Sequence, residues 1–190
     1  MQTKKEDIRK KILNVSERMF IRNGYENTSL QMIADRCYIS KSNIYRYFKS
    51  KDEIYETLVS PAREAMQKAI MSFTNGEYAG KYTPDKIVEI SDILAKMMSE
   101  FRSGFLIILN YSEGADLAML KDLQRKQFLA ACPIDDTEFK SQIVELLLLG
   151  LTDILLKHDK EDEIRERLRL LWSYHYRGLN GVKSELGVLF

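Results

Sequence analysis

Helix-start signals recur at residues 3, 28, 40 and 50 of this chain, which leaves room between them for one long helix and then only short ones joined by tight turns. Thr3-x-x-Glu6, Thr28-x-x-Gln31 and Ser50-x-x-Glu53 each have the capping-box form, in which a hydroxyl takes an orphan backbone N–H and the Glu or Gln reaches back. Ser40 is a plain N-cap before Lys41. Behind Thr3, Ile8, Ile12, Val15 and Met19 recur on one face of an amphipathic helix, which Asn23-Gly24 ends with a C-cap glycine. The pattern predicts helices from Thr3 to Asn23, over 29–36 and over 41–47, with a three-residue break at Cys37-Tyr38-Ile39.

Beyond Ser50 the predicted helices lengthen, to 51–74, 84–101, 103–111, 116–131, 137–157 and 160–178. Thr83-Pro84 supplies an N-cap with proline at the first helical position, and Asp159 caps the last helix. Residues 75–83 read as a loop, and Pro133-Ile134-Asp135-Asp136 separates two helices. Pro61 interrupts a helical pattern and predicts a kink or a break. The two Asn-Gly pairs, Asn75-Gly76 and Asn180-Gly181, follow helical patterns rather than lying between alternating strands. The expected fold is therefore all-α, with a small domain over 1–50 and a larger one over 51–190.

Net charge is only +1, but its distribution is uneven. Residues 1–50 carry 11 Lys and Arg against 5 Asp and Glu, a net of +6; the remainder carries 18 against 23, a net of −5. A basic end on an acidic body suits a chain whose first fifty residues meet phosphate. No apolar run approaches the roughly 20 residues that span a bilayer, and the first residues lack the apolar stretch of a signal peptide, so a cytoplasmic location and no membrane partner are expected. Cys37 and Cys132 lie far apart with no ligand-spaced partners, which predicts free thiols and no metal.

Three helices within 48 residues, the last two joined by a three-residue turn, have the layout of a DNA-binding helix-turn-helix. Leu30, Ile33 and Ala34 anchor the second helix, Ile39 closes the turn, and Ile44 and Phe48 pin the third helix from below. Lys41, Ser42, Asn43, Tyr45, Arg46 and Tyr47 are left around its exposed sides, all able to reach base edges or phosphates, and no Glu occurs between Arg36 and Lys51.

These residues resemble a known family. Thr28-x4-Ile33-Ala34, followed by Ile39-Ser40-x3-Ile44-Tyr45-x-Tyr47-Phe48-x-Ser50-Lys51-Asp52-Glu53-Ile54, is similar to the N-terminal signature of TetR-type regulators. The resemblance implies that residues 40–47 form the recognition helix of a regulator that binds a near-palindromic operator on double-stranded DNA. It implies that Lys49 grips a phosphate, and that Thr28 does so through its hydroxyl and the helix dipole. Tyr45 and Tyr47 are then backbone contacts, with Tyr47 the favoured phosphate partner. Lys41, Ser42 and Asn43 are base-edge candidates, Asn43 for adenine. Two departures stand out, Tyr38 and Ser42 at positions where the family usually has glycine. Either the turn carries a left-handed Tyr38 at a cost of about 1 kcal/mol or it bends differently, and Ser42 bears on how deeply the helix enters the groove.

The resemblance extends over the rest of the chain only as length and helical layout. Helix 137–157 is apolar nearly all round, and the last helix carries a stripe of apolar residues. Together they look like the family's dimerisation pair, with Leu147, Leu151, Ile154, Leu168, Leu171, Trp172 and His175 as interface candidates for a homodimer. Met66, Met97, Met98, Phe101, Phe105, Tyr111, Phe128 and Tyr174 are candidates to line a small-molecule effector cavity, although the same residues serve equally as core. No motif of an enzyme is present and no cofactor is implied: there is no Gly-x-Ser-x-Gly, His-Glu-x-x-His or phosphate-binding loop, and His158 and His175 are the two histidines. A repressor is the expected role. The alternative is a helical scaffolding protein using its helix-turn-helix for protein contacts, which would need no basic N-terminal end.

Overall fold

A computed structural model describes residues 2–74, 84–111, 114–128 and 136–186, and all of its regular structure is helical. The first helix, α1 (Gln2–Asn23), buries Ile12 and Phe20 completely. It ends where Gly24 adopts φ 83° and returns its N–H to the Phe20 carbonyl at 3.0 Å, a left-handed position that glycine takes without strain. Two short helices follow, α2 (Leu30–Cys37) and α3 (Lys41–Ile44). Ile33, Ala34, Cys37, Ile44 and Phe48 close over Ile12 and Phe20, each at most 1% exposed. Burial also pushes the Cys37 thiol above its ordinary pKa, so it packs as a small hydrophobe.

The capping signals hold at Ser40 and Ser50, but Thr3 lies inside α1, Lys160 rather than Asp159 immediately precedes α9 (Glu161–Leu186), and the signal at α2 is off by a residue. Ser29, not Thr28, is the N-cap, accepting from the Met32 N–H at 3.2 Å. Helix α3 also falls short of the predicted 41–47: it is α-helical to Ile44 and then tightens, with Arg46 N–H bonded to Asn43 O and Tyr47 N–H to Ile44 O.

The body consists of α4 (Lys51–Thr74), α5 (Pro84–Glu100), α6 (Arg102–Leu109), α7 (Ala115–Phe128), α8 (Thr137–Lys157) and α9 (Glu161–Leu186). Of the kink or break expected at Pro61, the break does not occur: α4 runs through it as one helix. Its next residue, Ala62, is packed against α6 so closely that a Cβ on Gly104 would stand 2.7 Å from the Ala62 Cβ. Packing on this side offsets the hydrogen bond that proline deletes, a loss of about 3 kcal/mol in an isolated helix. Phe101 (φ −112°, ψ 31°) turns the chain between α5 and α6. Helix α5 packs along α9, where Asp92 receives Arg169 at 2.7 Å and Arg165 at 3.2 Å. The last helix continues to Leu186, eight residues beyond its predicted end.

Helices α1, α4 and α6 meet, so the apolar interior is continuous from the N-terminal head to Leu155, Leu168 and Trp172 at the far end. No helix among the described residues is long and apolar enough to cross a membrane. The expected loop 75–83 and the separator Pro133-Ile134-Asp135, with Cys132, lie outside the described residues.

Candidate nucleic-acid interface

The turn before α3 is built on Tyr38, whose φ of 55° and ψ of 43° place it in the left-handed region. This conformation lets its N–H reach the Asp35 carbonyl at 3.1 Å while Ile39 N–H reaches Ala34 at 3.0 Å, satisfying the end of α2. Of the two outcomes open to a non-glycine residue here, the left-handed conformation is the one adopted, at a cost of roughly 1–2 kcal/mol. Ser40 then opens α3: its Oγ accepts the Asn43 N–H at 3.2 Å and lies 2.9 Å from the Ser42 hydroxyl.

Ile44 and Phe48, at 0% and 1% exposure, fix which way the rest of α3 and its tail face. Ser40, Lys41, Ser42, Tyr45, Arg46 and Lys49 are exposed, and Asn43 and Tyr47 are half-buried. The Asn43 Oδ1 is buried with no hydrogen-bond partner among the described residues. Lys49 is oriented by its backbone, whose N–H donates to Glu53 at the start of α4. Six outward polar or aromatic side chains therefore share one surface, carrying three cations and no carboxylate.

Thr28 does not join them. It is fully buried, and its hydroxyl donates to the Gly24 carbonyl at 2.8 Å, so it ties the α1–α2 turn and has no free donor for a phosphate. The capping-box spacing pointed one residue away from Ser29, which is the residue at the helix end. Lys51 was not singled out from the sequence. Its Nζ donates to the Tyr25 carbonyl at 2.8 Å and lies 3.9 Å above the Tyr25 ring, a tie across 26 residues that no local pattern marks.

Behind this surface the head is keyed to the body by aromatic and polar contacts. Tyr25, Tyr55 and Tyr111 form a triad with ring centroids 4.6 to 5.3 Å apart. The Tyr25 hydroxyl donates to Asp52, and the Tyr55 hydroxyl donates to Asp116 at 3.2 Å. Burial first, and the neighbouring carboxylates second, push both phenols well above their ordinary range. Arg63 grips Asp116 through Nε and Nη2 and also holds Glu56. Hydrogen bonds to Asp116 and Glu56 hold its guanidinium above its already high pKa.

The effector-cavity candidates are dispersed. Met66, Met98 and Phe105 are buried core, Met97 and Phe101 pack against it, and Tyr111 belongs to the aromatic triad. Tyr174 is 74% exposed and faces away from the interior, and the side chain of Phe128 lies outside the described residues. A cleft of about 280 Å³ does open at the α4 and α5–α6 corner, lined by Leu58, Pro61, Ala62 and residues 99–104; Phe101 is the one candidate bordering it.

The interface candidates are likewise turned inward. Leu147, Leu151, Ile154, Leu168, Trp172 and His175 are each at most 9% exposed within one chain, and Leu171 is half-buried. Periodicity locates the apolar helices, but α8 is apolar on both its inner and its outer face, and spacing alone does not separate them. The apolar side chains left outside are Leu146, Leu149 and Leu156 on α8, with Leu170 and Tyr174 on α9, all more than half exposed.

Comparison with known proteins adds the following. Residues 12–58 match the model of the "Bacterial regulatory proteins, tetR family". The chain is 26% identical over 91 residues to the HTH-type transcriptional regulator UidR of Escherichia coli (strain K12), covering 48% of this chain and 46% of that protein. The match therefore spans about half the length of the curated relatives. A TetR-family transcriptional regulator from Bordetella parapertussis 12822 superposes with a TM-score of 0.57 at 20% identity, over 87% of this chain and 94% of that one. A TetR-like transcriptional regulator from Rhodococcus sp. RHA1 gives 0.54 at 16% identity, over 92% and 96%. A gamma-butyrolactone receptor (ArpA like protein) gives 0.52 at 14% identity, over 92% and 88%. At these identities the structures share the fold with this chain.

Proposed function

We propose that this chain, whose residues 12–58 match the model of the tetR family of bacterial regulatory proteins, is a homodimeric transcription repressor that reads a near-palindromic operator. The observation that carries the reading is the outward surface of α3 and its tail. Lys41, Ser42 and Arg46 stand clear of a core that Ile44 and Phe48 lock, so donors are presented at a fixed angle. Lys49, Tyr45 and Tyr47 serve as phosphate contacts that set register; Lys41, Ser42 and Asn43 face base edges. For Asn43 this needs a side-chain rotation that brings its buried amide oxygen into the groove.

The second copy packs on the exposed apolar stripes. Leu146, Leu149 and Leu156 lie on one side of α8, and Leu170 and Tyr174 follow one another by a turn on α9. Further along α9, Gly178 and Gly181 leave space around their backbone into which a partner helix fits. A two-fold pair would set two α3 elements on successive major-groove faces, about 34–36 Å apart. The cleft beside Pro61 is the place for a small-molecule effector, because a ligand there would touch both α4, which leads to the head, and the α5–α6 corner.

Selection from a random duplex pool with the full-length chain tests the reading. Enrichment of an inverted repeat supports it; a pool that stays random after repeated rounds contradicts it.

A further inference from the structure

Among the described residues, Tyr38 is the one non-glycine residue with a positive φ, and it is also 89% exposed. A glycine would allow the same turn hydrogen bonds to the Asp35 and Ala34 carbonyls without strain, because those bonds use backbone alone. The ring returns little inside the molecule: its neighbour is the Lys11 ammonium on α1, 5.5 Å from the ring centroid. The nearest carboxylate along the chain, Asp35, is occupied by the Gln31 amide at 2.7 Å. A strained residue that is 89% exposed and whose ring meets one solvent-side cation points to an external use.

Its place in the fold says what that use is. Tyr38 precedes the Ser40 cap by two residues, at the end of α3 where Lys41 and Ser42 are exposed. We propose that Tyr38 is a DNA-backbone contact: its hydroxyl donates to a phosphate oxygen flanking the groove that α3 enters, and Lys11 braces the ring and neutralises the same phosphate. The inference rests on the DNA-binding reading above and adds to it a positioning contact outside the recognition helix.

The strain makes the test two-sided. Tyr38→Gly should raise the melting temperature by roughly 2 °C, by removing the left-handed penalty. It should nevertheless weaken binding to the selected duplex, and to unrelated duplexes, by roughly tenfold alike, as a lost hydrogen bond to a charged group does. Tyr38→Phe should weaken both to a similar degree. Lys11→Met should reduce the slope of log affinity against log salt by about one unit. Full affinity in the Gly or the Phe variant overturns the inference, as does a lower melting temperature for Tyr38→Gly. Wild-type protein that selects no duplex overturns the regulator reading itself, and this contact with it.

Discussion

The side-chain amide of Asn110, at the end of α6, donates to the carbonyl of Ile21 at 3.0 Å and shares its second hydrogen with Phe20 at 3.2 Å. Both carbonyls lie in the last turn of α1, where acceptors run out of intrahelical partners: Phe20 O still receives the Gly24 N–H, and Ile21 O receives the Asn110 amide. The body therefore caps the first helix of the head. About two turns earlier, Ser103 donates to Glu17 at 2.9 Å, so α6 is bonded to α1 at both of its ends.

Asn110→Ala should lower stability by about 1 kcal/mol, since the carbonyls lose a donor but remain within reach of water. Calorimetry should show a melting temperature reduced by roughly 2–4 °C. If α6 transmits effector binding to the head, the same variant should bind operator normally but respond less to ligand. An unchanged melting temperature would mean that the cap contributes nothing.

Close approach of α4 and α6 at Gly104 gives a sharper packing test. Gly104→Ala places a methyl group 2.7 Å from the Ala62 Cβ, so the helices must separate. The expected cost is about 1–3 kcal/mol, read from denaturant midpoints. Ala62→Gly should be less harmful in the Gly104→Ala background than alone. Strict additivity in that cycle contradicts the contact.

The inner and outer faces of α8 predict opposite phenotypes. Leu149, 65% exposed, can become Asp without disturbing the fold of one chain, whereas Leu151, 6% exposed, cannot. Sedimentation should find Leu149→Asp folded and monomeric. Leu151→Asp should aggregate or fail to fold, because it buries an unpaired charge. A Leu149→Asp dimer as tight as the wild type would place the interface elsewhere.

His175 provides a pH dependence. It is 8% exposed, and burial holds its imidazole below the ordinary 6.5. The unfolded chain therefore binds this proton more readily than the folded one. The resulting stability is complete above about pH 6.5 and declines as pH falls through that value toward the folded pKa. Thermal scans between about pH 7.5 and about pH 5.5 should show the decline, and His175→Phe should flatten part of it. Equal slopes in both proteins would contradict the assignment.

Much of this architecture was legible from local signals. Caps at Ser40 and Ser50 and the glycine after Asn23 mark helix ends because the hydrogen bonds that make them lie within a few residues. The strain at Tyr38 was legible for the same reason. Local spacing failed where the deciding contact was distant. Thr28 looks like a cap until Gly24 is seen to take its hydroxyl. Pro61 looks like a break until the α6 packing at Gly104 is known. Periodicity marked α8 as buried on several sides, yet it could not tell which leucines face α9 and which face outward. Asn110 and the tyrosine triad join residues far apart in sequence and left no signal in it, and the signature that contains Lys51 gives no sign of its tie to Tyr25.

The most direct test of the central claim is a titration of the selected duplex, with sedimentation reporting how many chains it holds. The account predicts two chains per inverted repeat, a dissociation constant on the order of 10⁻⁸ M near physiological salt, and steep weakening as salt rises. Lys49→Ala should weaken all duplexes alike and lower the salt slope by about one unit, while Asn43→Ala should cost about 1–3 kcal/mol at one base position in each half-site. One chain per site, or affinity indifferent to both salt and sequence, would contradict it.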